Sequence, residues 1–149
     1  MKQYSYPKTH SQPPKNPYFS AFADRKLLSG PALRRFIMIV TKWKLDTKDA
    51  RLLLGGMSSR RFNQLSMHTD GRILNADQLF RVLCVIGIDR SVRKLLPRRQ
   101  ADRWAQTPDR RLPGGTPLFS MIHNSPTDIW QWWQRIERTV AEKCKAGRS

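Results

Sequence analysis

The stretch from Ala101 to Met121, ADRWAQTPDRRLPGGTPLFSM, restricts the chain more than any other, because a Trp, a Gly pair and three prolines fall within it. No single helix can contain it. Leu95, Leu96, Ala101 and Trp104 fit the end of an amphipathic helical pattern, which Pro108 stops by removing a backbone N–H and driving Thr107 out of the α region. Pro113 fixes one backbone angle and Gly114 and Gly115 tolerate positive φ, so Leu112 to Gly115 is expected to be a tight reversal. Thr116 then suits an N-cap, with Pro117 at the first helical position, where its missing donor costs nothing. Two readings of this corner stand at this level. It is an ordinary helix–loop–helix packed around Trp104, Leu118 and Met121, or a rigid, partly apolar surface shaped for another protein.

Charge narrows the partner. The chain has 149 residues, with 28 Lys plus Arg against 11 Asp plus Glu, a formal charge of +17. Such an excess points to an anionic partner, nucleic acid first. No apolar run approaches the roughly 20 residues that span a bilayer, and the N-terminus lacks an apolar signal core, so a membrane role is not expected and a cytoplasmic location is, nucleoid-associated when DNA is bound. Cys84, in the apolar string VLCVIGI, is expected to be a buried small hydrophobe, and Cys144 an exposed reduced thiol. Neither has metal-ligand spacing to another Cys or His, so no metal or cofactor is expected. The three histidines are isolated and no phosphate loop occurs, so an enzyme is the least expected class.

Along the chain, residues 1–28 show scattered prolines without 2.0 or 3.6 periodicity and are expected to form a disordered basic arm. Lys2, Lys8 and Lys15 are there either solvated or in contact with phosphates. From Ser29 or Gly30, as cap before Pro31, the positions Leu33, Phe36, Ile37, Val40 and Trp43 predict a core-facing helix, with Arg34, Arg35 and Lys42 outward. The spacing of LDTKDARLLLGGMSSRRFNQL predicts a helix-turn-helix. Asp46 or Thr47 caps a helix bearing Ala50, Leu53 and Leu54, Gly55–Gly56 turn, and Ser58 or Ser59 caps a second helix with Phe62 and Leu65 inward. Ser58, Ser59, Arg60, Arg61, Asn63 and Gln64 then lie where major-groove readers place base contacts, Arg matching guanine and Asn or Gln matching adenine. Two short helices joined by glycines also occur in domains that never touch DNA.

Asn75 caps a helix so rich in apolar residues, Leu79, Val82, Leu83, Ile86 and Ile88, that it must be largely buried. Gly87 is expected to stop it, with Asp89 or Ser91 starting a further turn through Val92, Leu95 and Leu96. Arg90, Arg93, Lys94, Arg98, Arg99 and Arg103 form a basic zone that faces solvent, DNA phosphates or an acidic protein. Ser125-Pro126-Thr127-Asp128 starts a last helix running to about Cys144, whose Ile129, Trp132, Trp133, Ile136 and Val140 make an apolar stripe. Trp130 stands to one side of that stripe, completing the core or anchoring a partner.

Two of these segments carry a family resemblance. Ala101, Trp104, Pro108, Leu112, Gly114, Gly115, Pro117, Leu118 and Met121 resemble the C-terminal domain of the Xre/MbcA/ParS antitoxins. Leu53, Leu54, Gly55 and Gly56 resemble the turn of that family's Xre-like N-terminal domain. The resemblance spans roughly Ala32 to Arg138. It implies a type II toxin–antitoxin role: occluding a RES-domain, NAD-consuming toxin and repressing the operon by binding double-stranded operator DNA, commonly as a homodimer. The implied toxin contacts are Trp104, Pro108, Leu112, Gly114, Gly115, Pro117, Leu118 and Met121, joined by Trp130 as an interface anchor. A stand-alone DNA-binding regulator or nucleoid protein without a toxin is the alternative. The expected fold is all-α: the arm at 1–28, an Xre-like helix-turn-helix domain at 29–96, a small helical toxin-binding domain at 97–145, and a tail at 146–149.

Overall fold

The computed structural model describes residues 22–69, 71–110, 115–123 and 126–147. Among them the protein is all-α: α1 (Phe22–Lys42), α2 (Thr47–Leu53), α3 (Ser59–Met67), α4 (Ala76–Leu95), α5 (Arg98–Arg103), a 3-10 turn (Trp104–Gln106), α6 (Pro117–His123) and α7 (Pro126–Ala146). No described residue lies in a strand.

The caps follow the sequence signals. Asp46 Oδ1 accepts from the Asp49 N–H at 2.8 Å, Ser58 Oγ from Arg61 N–H at 3.2 Å and Thr116 Oγ1 from Phe119 N–H at 3.1 Å. Asn75 forms a full capping box: its side chain accepts from Gln78 N–H at 2.8 Å, and Gln78 Oε1 accepts from Asn75 N–H at 3.1 Å. Each cap satisfies a donor that the first helical turn leaves without an intrahelical partner.

Three helix boundaries differ from expectation. Ser29 is not a cap: α1 already includes Phe22, so residues 22–28 belong to a helix and Pro31 sits in its interior. Interior proline costs about 3 kcal/mol, and the buried run Leu33, Phe36, Ile39 and Val40 beyond it offsets that loss. Gly87 does not stop α4, which runs unbroken to Leu95. A glycine costs only about 1 kcal/mol in a helix, less than the burial of Val85, Ile88 and Val92 on either side of it returns. Nor does one helix connect Leu95 to Trp104: Pro97 holds Leu96 at φ −121°, ψ 146°, and the chain restarts as α5.

The hydrophobic core is one continuous cluster from Ala32 to Met121. α4 lies at its centre, packed against both α1 and α7, and buries Leu79, Val82, Cys84, Val85 and Ile88. Burial also pushes the Cys84 thiol far up, so it stays protonated and inert. Helix α1 ends with Lys44 in the left-handed region at φ 57°. Its N–H donates to Thr41 and that of Leu45 to Val40, a C-terminal closure in which glycine is the usual residue. The amide of Gln106 then donates to the Trp43 and Lys44 carbonyls at 2.6 and 3.2 Å. The near end of the Ala101–Met121 stretch is thereby anchored to the turn that closes α1.

Candidate functional site

The first candidate surface is built by α2, its glycine turn and α3. Ala50 and Leu53 of α2 and Phe62 and Leu65 of α3 are buried, so the two helices share one apolar face. Between them Gly55 and Gly56 take φ of +95° and +87°. A Cβ on Gly55 would also crowd Arg81 Nε at 3.3 Å and Asp77 Oδ2 at 3.4 Å, two groups of α4 that pair with each other at 3.0 Å. From α2, Arg51 spans the turn: Nε donates to the Met57 carbonyl at 2.9 Å and a terminal nitrogen to Ser59 Oγ at 3.0 Å. The start of α3 is therefore held from two sides.

Residues Ser58, Ser59, Arg60, Arg61, Asn63 and Gln64 are all exposed. With Phe62 and Leu65 inward, α3 offers a polar face with two guanidinium groups and two carboxamides. Those groups are chemically able to meet phosphate oxygens or base edges. Ser58 and Ser59 are already engaged, one capping α3 and the other accepting from Arg51. The free donors are concentrated on the next turn.

The second candidate surface is the corner at residues 104–118. The Trp104 ring lies 6.1 Å from that of buried Trp43, at 55° between planes. Thr107 Oγ1 donates to the Arg103 carbonyl at 2.8 Å, and Asp109 N–H donates to Gly115 O at 2.6 Å. Gly115 has φ +86°, while the rest of the expected reversal, Leu112 to Gly114, lies outside the described residues. A cleft of about 460 Å³ opens beside it, with apolar walls from Leu95, Leu96, Trp104, Pro108 and Pro117 and polar ones from Asp109 and Arg110.

The implied toxin contacts divide sharply here. Trp104 and Gly115 are half-buried and Pro108 is exposed. Pro117, Leu118 and Met121 face inward, with Met121 fully buried, because α6 is short and its apolar side closes the core. That corrects the expectation that Leu118 and Met121 form part of an outward surface. The outward residue of α6 is Phe119, 43% exposed, its ring 4.1 Å from that of His123. Leu112, Gly114 and the side chain of Trp130 lie outside the described residues. Sequence reasoning missed Phe119 and the cleft walls Leu95 and Leu96. In a seven-residue helix the inward pair at 118 and 121 already places 119 outside.

The basic zone is partly consumed by pairing. Arg93 Nε donates to both Asp89 oxygens, at 3.1 and 3.0 Å, and its terminal nitrogen to Asp102 Oδ1 at 2.7 Å. The hydrogen bond from Arg93 holds the Asp102 carboxyl below the usual carboxylate range, reinforced by the charges of Lys42 and Arg98. Arg90, Lys94, Arg98, Arg99 and Arg103 are exposed. Among the described residues no group of three or more His, Cys, Asp or Glu gathers at metal-binding range, and no helix is long and apolar enough to cross a membrane. Comparison of the chain with protein-family models, with curated proteins and with solved structures finds no match.

Proposed function

We propose that the chain is the antitoxin of a type II toxin–antitoxin pair, which binds and occludes a RES-type, NAD-consuming toxin and represses its own operon through double-stranded DNA. The observation that carries this reading is the solvent-facing side of α3, Arg60, Arg61, Asn63 and Gln64, held behind a glycine turn that Arg51 and the Asp77–Arg81 pair support. In it α2, the turn and α3 act as a helix-turn-helix, with α3 entering the major groove. The corner at 104–118 supplies the toxin-facing surface through Trp104, Pro108 and the cleft beside them. Neutralisation of this kind asks no chemistry of the antitoxin: a few well-packed anchors that exclude substrate from the toxin's pocket suffice. The resemblance further proposes a homodimer, a cytoplasmic, nucleoid-associated location, and no catalytic activity.

A second reading, a DNA-binding regulator without a toxin, is favoured by one observation. Leu118 and Met121 are buried in the chain's own core, which removes them from any partner surface. Co-expression of the tagged chain with the genes flanking its own separates the two. Under the first reading a RES-type neighbour copurifies in near-equal amount and cells that arrest on the neighbour alone resume growth. If no neighbour copurifies or is detoxified while DNA binding persists, the second reading replaces the first.

A further inference from the structure

Helix α1 buries Leu33, Phe36 and Val40 on one side, and its opposite side carries apolar groups as well. Leu27 is 75% exposed and Met38 49%, and Pro31 between them is also exposed. Steps of four and seven residues put the three on one ridge, away from the core. Arg34 and Arg35 fill the gap between Pro31 and Met38, and Lys42 stands one turn beyond Met38, all of them exposed. From Leu27 to Lys42 the ridge is about 22 Å long at the helical rise per residue. Asp24 is the one carboxylate in the sequence of α1, against Arg25, Lys26 and the three cations of the ridge. Positive charge continues past the end of the helix. Lys42 and Arg98 both lie close enough to Asp102 for their charges to favour its carboxylate form.

We propose that this ridge rests on an anionic bilayer surface, with Leu27, Pro31 and Met38 dipping below the headgroups and Arg34, Arg35 and Lys42 among the lipid phosphates. The inference is independent of the antitoxin role and adds a partner to it. Duplex DNA suits the cations but would press Leu27 and Met38 against its phosphates. A second copy of the chain brings the same cations to the contact, and like charges across an interface repel. The groove of a protein partner takes a helix through an apolar seam repeated at three and four residues, which Arg34 and Arg35 interrupt at its middle. A headgroup layer accepts the interruption. The apolar stem of an arginine lies along the surface while its guanidinium stays with the phosphates. Attachment of this kind needs no spanning helix, and none of the described helices is long and apolar enough to be one.

A chain of charge +17 is drawn to any anionic vesicle, so the test reads which face inserts. Cys144→Ser leaves the buried Cys84 as the remaining thiol. In that full-length background Leu27→Cys, Met38→Cys and, on the exposed side of α7, Gln131→Cys each receive an environment-sensitive fluorophore. With vesicles of equal parts phosphatidylglycerol and phosphatidylcholine, emission is expected to shift to the blue at positions 27 and 38 and not at 131. Pure phosphatidylcholine should produce no shift. In the unlabelled chain Leu27→Gln/Met38→Gln and Arg35→Glu/Lys42→Glu should each lower partition onto the anionic vesicles at least tenfold, with circular dichroism showing both variants folded. An equal shift at 131, or partition unchanged in Leu27→Gln/Met38→Gln, means adsorption through general charge and overturns the proposal. So does a shift at 27 and 38 that a copurifying protein produces and the vesicles do not, which assigns the ridge to that protein. If a RES-type neighbour copurifies while the vesicles give no shift, the antitoxin role stands and the membrane contact falls. Insertion of the ridge with no such neighbour has the reverse meaning.

Discussion

The Ser29 hydroxyl illustrates what one side chain does in this fold. It is fully buried, donates to the Arg25 carbonyl one turn back at 2.5 Å, and accepts from Leu74 N–H at 2.9 Å. The second bond crosses from α1 to the segment that leads into α4, joining positions far apart in sequence. Removing the hydroxyl leaves the Leu74 N–H buried with no acceptor, which costs about 1–3 kcal/mol. Ser29→Ala should therefore lower the urea midpoint with unchanged m-value, while Ser29→Cys, a poorer acceptor of similar size, falls between. An unchanged midpoint for Ser29→Ala would mean that the Leu74 N–H finds water. None of this is visible in the sequence, where a serine two residues before a proline has the signature of a helix start. That signature is local, and the partner that gives Ser29 its role lies 45 residues away.

At the scale of elements, the caps were legible and the breaks were not, for one reason. A cap is a bond between neighbours three residues apart, so Asp46, Ser58, Asn75 and Thr116 announce themselves. Whether Gly87 ends a helix depends on what the helix buries on either side, which is a tertiary quantity. The same holds for the face of α6, where Leu118 and Met121 turned out to close the core. The α4–α5 corner at Pro97 is held by Arg93, which grips Asp89 of its own helix and Asp102 of the next. Asp89 is 2% exposed, so Arg93→Met strands a buried carboxylate and should destabilise the fold by about 3–5 kcal/mol. The pH dependence gives an independent check. The Asp102 carboxyl is depressed in the fold by the Arg93 hydrogen bond. Its contribution is therefore present above the unfolded value of about 3.9 and is lost as pH falls through the lower folded value. Denaturant titrations of the wild type should show this loss below about pH 4, and in Arg93→Met that part of the acid limb should be flatter. A limb of unchanged slope would assign the acid sensitivity to other carboxylates.

For the molecule as a whole, a charge of +17 makes some affinity for any polyanion unavoidable. Binding to DNA is thus weak evidence for the role of α3, and the informative quantity is the ratio of affinities for the segment upstream of the chain's own gene and for random duplex. Arg60 and Arg61 are exposed on a helix whose start is fixed by Ser58 and Arg51, and under the proposed function they either read bases or clamp phosphates. The two roles separate thermodynamically. A guanidinium forked onto guanine carries about 1–3 kcal/mol of discrimination, whereas one on a phosphate contributes to every duplex alike and about 0.9 to the slope of log affinity against log salt. Arg60→Ala/Arg61→Ala, titrated by fluorescence anisotropy between about 50 and 200 mM salt, should reduce the ratio at least tenfold while random-duplex affinity changes little. An equal loss on both duplexes, with a slope smaller by about 1.8, would make the pair phosphate clamps. No loss on either would move the interface off α3 and onto the exposed cations beyond Pro97, Arg98, Arg99 and Arg103.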